Sequence, residues 1–138
     1  MKNRLKLVGN WPLPGKMARA KKEMMVIKSE NTLDFIHGTK NHMLISFAVS
    51  NDYIDFGSIT IPSGVCSDKE VHKGDEVLYV LEGTVPVVCA NFSETGSVTK
   101  SRYEVNQGEH FLIPENTVHR YFNLTNDLTK IIFAIAPT

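Results

Sequence analysis

This chain lacks an excess of charge of either sign: fifteen Lys and Arg against fifteen Asp and Glu leave no net charge over 138 residues. No general field therefore draws it to a nucleic-acid backbone or an anionic membrane. Long apolar runs are missing too. Residues 1–30 hold nothing like the apolar core of a signal peptide, and no run approaches the roughly 20 residues of a membrane-spanning helix. The expectation is a cytoplasmic protein with no nucleic-acid and no membrane partner. Cysteine is scarce: Cys66 and Cys89 show no CxxC spacing, and a reducing cytoplasm argues against a structural disulfide between them. Cys89, in the apolar run 85–90, reads as a small core hydrophobe, and Cys66 as a buried or rim thiol without chemistry. There is no internal repeat, no low-complexity tract and no helix-turn-helix pattern that would mark a one-chain transcription regulator.

What is present is an apolar fraction of 42%, enough for the core of one domain without staples. Residues 1–23 stand apart. Seven basic residues between Lys2 and Lys22 face one acid, Glu23, which reads as a solvated basic arm. Trp11-Pro12-Leu13-Pro14-Gly15 cannot be a regular helix or a central strand, so the arm should be extended, with a short helix over 16–25 as an open alternative. From residue 24 onward, short β-rich runs alternate with turn residues, which predicts an all-β sandwich or barrel over 24–138. The expected strands are 24–28, 42–49, 53–61, 77–81, 85–90, 100–105, 110–113, 118–122 and 130–135.

Four residues with metal-ligand chemistry fall at strand-compatible spacings: Glu70, His72, Glu76 and His119. Side chains two apart on a strand share a face, so Glu70 and His72 can reach one ion together. After the turn Lys73-Gly74-Asp75, Glu76 can return to the same face. His119 follows the turn Pro114-Glu115-Asn116 into a strand directed back through the core. By the same parity, Tyr121 and Asn123 share a face with His119 and could touch a ligand or support the metal's donors, whereas Arg120 and Phe122 point away. Tyr79 should pack on the outer face. His110 reads as an ordinary surface or hydrogen-bonded histidine, and His37 and His42 receive no role.

Over residues 42–137 the chain resembles the cupin superfamily. The first family motif is Gly, five residues, His-x-His, three or four residues, Glu, six residues, Gly; here Gly64, five residues, Glu70-x-His72, three residues, Glu76, six residues, Gly83. The second is Gly, five residues, Pro-x-Gly, two residues, His, three residues, Asn; here Gly108, five residues, Pro114-x-Asn116, two residues, His119, three residues, Asn123. Each motif carries one departure. Asn116 replaces a Gly, and Asn tolerates the left-handed backbone such a turn often needs. Glu70 replaces the first His and makes the expected metal shell two His and two Glu. The resemblance implies a double-stranded β-helix, or jelly-roll barrel, with a metal near its middle, a small-molecule ligand and frequent dimerisation.

Carboxylate-rich mixed donors rank Mn and Fe(II) first, then Ni and Zn. Glu70 has three readings: a fourth metal ligand, a salt-bridge partner, or a general base beside bound substrate. The functional expectation is a metal-dependent cupin acting on a small oxygen-rich molecule, a sugar or carboxylic acid, by isomerisation, epimerisation or elimination. A non-haem iron dioxygenase and a non-catalytic binding cupin are the alternatives, since fold alone decides no chemistry. The Trp11-Pro12 arm and the edges of an open barrel point to a homodimer.

Overall fold

The computed structural model describes residues 24–92 and 94–138; the expected arm, residues 1–23, lies outside the described residues. Strands make up 56% of the described residues. After a 3-10 turn at Ser29–Asn31 come β1 Leu33–His37, β2 Met43–Ser50, β3 Asp55–Ile61, β4 Asp75–Glu82 and β5 Thr84–Phe92, followed by β6 Val98–Asn106, β7 His110–Ile113, β8 Val118–Tyr121 and β9 Thr129–Ala136. No helix among the described residues is long and apolar enough to cross a membrane.

The strands form two antiparallel sheets, six-stranded in the order β1-β2-β3-β9-β4-β7 and three-stranded in the order β6-β5-β8. Period-2 patterning decides which faces meet. On β9, Thr129, Ile131, Phe133 and Ile135 are buried while Lys130, Ile132 and Ala134 alternate outward. Inward residues of both sheets, among them Phe47, Ile61, Leu78, Val85, Val87 and Ile113, form one core. Phe47 stacks on Phe35 at 5.5 Å and meets Phe133 edge-on at 5.6 Å, tying three strands of the large sheet into one apolar wall.

Two local features aim side chains at the site. The β2/β3 register shifts between Phe47 and Val49, and Gly57 lies against this irregularity. A Cβ on Gly57 would stand 2.0 Å from the Ser46 carbonyl oxygen, so only glycine allows this approach. The second feature is the turn before β8. Asn116 has φ 59°, the left-handed conformation expected of it, and its N–H donates to the His72 carbonyl at 2.9 Å. The turn of the second motif is thereby fastened to the first motif.

One expected strand is absent and one unexpected strand is present. Residues 24–28 form no strand, and Met24 and Val26 are 100% and 84% exposed. That short apolar run has no sheet edge to pair with. The edge beside β2 is instead taken by β1, in the register Leu33↔Phe47, Phe35↔Ile45, His37↔Met43.

Candidate metal centre

His72, Glu76 and His119 converge in the interior, each offering a donor atom within 4.8 Å of the others. Glu76 opens β4 on an inward position and is 2% exposed. His119 sits on β8 and is 1% exposed, and His72 enters from the turn that precedes β4. Their distances are short: His72 Nε2 to Glu76 Oε2 is 2.8 Å and His119 Nε2 to the same oxygen is 3.4 Å.

Both imidazoles are oriented by the backbone. His119 Nδ1–H donates to the Thr117 carbonyl at 2.8 Å, and His72 Nδ1–H donates to the Gly74 carbonyl at 3.2 Å. Each ring is left with Nε2 turned to Glu76. Backbone anchoring of the remote nitrogen is how metal-binding histidines are commonly held.

The donor set fits a divalent ion. Two donors bound cis to one ion at bond lengths of roughly 2.1 Å stand about 3 Å apart, which is the separation the two imidazoles already keep from Glu76. Protons are also scarce. With both imidazoles neutral, the two Nε2 lone pairs and the two Glu76 oxygens face one hydroxyl proton, that of Tyr121. A buried cluster of acceptors with so few donors is costly without a cation.

The titration behaviour follows the same geometry. Burial pushes the Glu76 carboxyl up, but hydrogen bonds and charge from His119 and His72, with help from Tyr121, outweigh it and hold Glu76 at about 2. The hydrogen bond that the Glu76 carboxylate accepts from His72 raises His72, against partial burial. Burial, reinforced by the Glu76 charge, lifts Tyr121 well above its usual range, so in the metal-free protein its hydroxyl is protonated.

Glu70 stands apart from this trio. Its backbone bridges His119, with N–H to carbonyl bonds of 2.8 and 2.9 Å in the two directions. Its carboxylate, however, meets His37 Nε2 at 2.7 Å, and both side chains are only about one-sixth exposed, at 18% and 17%. His37, which sequence reasoning left without a role, lies at the end of β1 on the inward phase of Leu33 and Phe35. That alternation was the signal for it, visible only once 33–37 is read as a strand. Asp68 then clamps the following loop, accepting from Thr39 N–H and hydroxyl at 2.7 and 3.1 Å and from Asn41 Nδ2 at 3.2 Å.

The trio, Glu70 and His37 line one cleft. His37, Glu70, His72, Glu76, His119 and Tyr121 are its polar lining, and Met43, Ile45, Phe47, Ile59, Phe133 and Ile135 its apolar lining, around an empty space of about 380 Å³ including its mouth. Tyr121, fully buried, donates to Glu76 at 2.8 Å and lies 3.0 Å from His119 Nε2. Asn123 is not among the lining residues. Its amide donates to the Ile61 and Asp127 carbonyls at 2.9 and 2.7 Å, and its oxygen accepts from Thr125. These contacts brace the loop before β9. Tyr79 lies against His110 with ring centroids 4.9 Å apart, away from the cleft.

Two antiparallel sheets wrapped round a histidine–carboxylate cluster define a double-stranded β-helix with a candidate metal site. The family model of the cupin domain matches residues 57–135, and the chain belongs to the cupin family. Among solved structures, a predicted oxalate decarboxylase from Thermotoga maritima superposes with a TM-score of 0.65 at 17% identity, over 83% of this chain and 100% of the other. The polyketide cyclase RemF from Streptomyces resistomycificus gives 0.63 at 16% identity, over 84% of this chain and 81% of that one. Oxalate oxidase gives 0.56 at 19% identity, matching 61% of this chain, which spans only 42% of the oxidase. At such identities the likeness concerns the fold. A search of curated proteins finds no match.

Proposed function

We propose that this cupin uses a divalent metal held by His72, Glu76 and His119 to act on a small carboxylic or hydroxy acid with an apolar body, by proton transfer. The observation that carries this reading is the mixed lining of the cleft, in which ionisable side chains stand beside aliphatic and aromatic ones. A sugar presents hydroxyls on every side and would leave several unpartnered against Met43, Ile45 and Phe47. An acid head with an apolar tail matches both linings. A bound divalent ion would supply Lewis acidity to the oxygens of that head. Glu70, hydrogen-bonded to His37 and lining the same cleft, would take or return a proton.

Two His and one carboxylate are also the donors of non-haem iron oxygenases, and that set supports the dioxygenase alternative. Metal content and proton exchange separate the two. The protein as purified should carry Mn, or Fe without dioxygen uptake, and should exchange the α-hydrogen of an aryl 2-hydroxy acid such as mandelate for deuterium in D2O. Burying the aryl ring should make mandelate bind about tenfold or more tighter than glycolate, as read by calorimetric titration. A hexose binding as tightly as mandelate, or iron-dependent dioxygen consumption in place of exchange, would overturn the reading.

A homodimer is part of this proposal. Phe56, Ala134, Val77 and Leu112 stand in register across β3, β9, β4 and β7 on the outer face of the large sheet. Phe56 and Val77 are each 42% exposed and Leu112 56%, an apolar row that supports pairing of two such faces. Light scattering should give twice the chain mass, and Leu112→Glu should reduce it to one. A wild-type monomer at high concentration would end the idea.

A further inference from the structure

We infer that Tyr121 is itself a metal ligand, its phenolate oxygen joining His72, Glu76 and His119 as a fourth protein donor. The inference rests on the reading that this trio holds a cation. The Tyr121 oxygen is 2.8 Å from each oxygen of Glu76 and 3.0 Å from His119 Nε2. It therefore keeps from these donors the same spacing of about 3 Å that neighbouring donors keep around one ion. Its ring is fixed, 2% exposed, with its centroid 5.2 Å from that of His119 in an edge-on contact. Tyr121 and His119 are two residues apart on β8, so both side chains point inward from one strand.

Hydrogen bonding alone does not account for this placement. When His119 is neutral with its Nδ1–H on Thr117, one O–H proton serves three acceptor atoms, Glu76 Oε1, Glu76 Oε2 and His119 Nε2, and it can satisfy only part of that demand. With a cation in place the demand vanishes. The Tyr121 oxygen forms a bond to the metal, the O–H bond breaks, and its proton leaves to solvent. Two imidazoles, a carboxylate and a phenolate would thus hold the cation, which would supply Lewis acidity to a ligand's oxygens.

Cupric ion is the probe, because phenolate bound to Cu(II) gives a visible charge-transfer band and imidazole and carboxylate do not give phenolate ring vibrations. The full-length protein loaded with one equivalent of Cu(II) should show that band, and resonance Raman excitation within it should enhance phenolate modes. Tyr121→Phe should still bind copper and lose both signals, while Tyr79→Phe, on the outer face, should keep them. Copper bound without the band, or a band that survives Tyr121→Phe, overturns the inference and leaves the metal site standing. Failure of the wild-type protein to bind copper at all overturns the metal reading, and this inference with it.

Discussion

His119→Ala is expected to strip most of the bound metal while leaving the barrel folded. The ligand is lost outright, whereas the core that encloses it is built from Phe47, Leu78, Val85, Ile113, Ile131 and their neighbours, none of which depends on the imidazole. The cost to the metal-free fold should be modest, about 1–3 kcal/mol, from the void and from a Glu76 carboxylate that loses a partner. Elemental analysis and a urea titration measure the two effects separately. Full metal occupancy in the variant would falsify the assignment of this residue.

The same site sets the pH dependence of metal loading. Glu76 is held at about 2, so it stays ionised and ready to bind metal through the whole working range. His72 is the competitor. Its folded-state value is raised by Glu76, so a proton occupies its Nε2 at a higher pH than an ordinary histidine would allow, and the ion must displace it. His72 should therefore steepen the fall of metal affinity on acidification, from above the usual histidine value of 6.5, by about a further tenfold per pH unit for its displaced proton, beyond the one Tyr121 would release. Competition with a chelator at stepped pH reads the slope. A slope that does not steepen until the carboxylate range would show that His72 does not take part.

Glu70→Gln is the second large effect, and it separates a base from a ligand. With Glu70 acting as a base beside His37, the amide should keep the metal and lose proton-transfer activity by about 10²–10⁴-fold. With Glu70 as a fourth ligand, the weaker neutral donor should lower metal affinity, and Glu70→His should restore it. The 2.7 Å hydrogen bond with His37 orients the Glu70 carboxyl and supports the base, and His37→Phe should then reproduce much of the Glu70→Gln loss without changing metal content. Unchanged metal and unchanged turnover in all three variants would remove Glu70 from the mechanism.

The barrel was legible in the sequence because its strands are amphipathic and its turns carry Gly, Pro and Asn; β7 at His110–Ile113 matches the expected bounds, and the left-handed Asn116 follows from what Asn permits. The edge strand β1 was not. Its alternation over five residues is no stronger than that of the apolar run at 24–28, and only a partner on β2 distinguishes them. His37 was missed for the same reason, since its meeting with Glu70 is set by which strands become neighbours across the barrel. Parity put Tyr121 and Asn123 on the inner face with His119, and both are buried. A face is not a depth, however. Tyr121 reaches the cluster, while Asn123, two residues on, braces the backbone of the loop to β9.

The clamp made by Asp68 has a consequence for how this cleft behaves as conditions change. Bonds from the Thr39 backbone, outweighing burial, and from Lys40, Thr39 and Asn41 hold Asp68 at about 2, below its ordinary 3.8. A depressed carboxylate of this kind stabilises above its unfolded value and releases only as pH falls through the folded one. The loop joining β1 to β2 is thus latched to the segment that bears Glu70 under any condition milder than strong acid. That latch and the chemistry of the cleft therefore answer to different proton concentrations, and acidification toward the histidine range alters what the cleft can hold before it releases the loop.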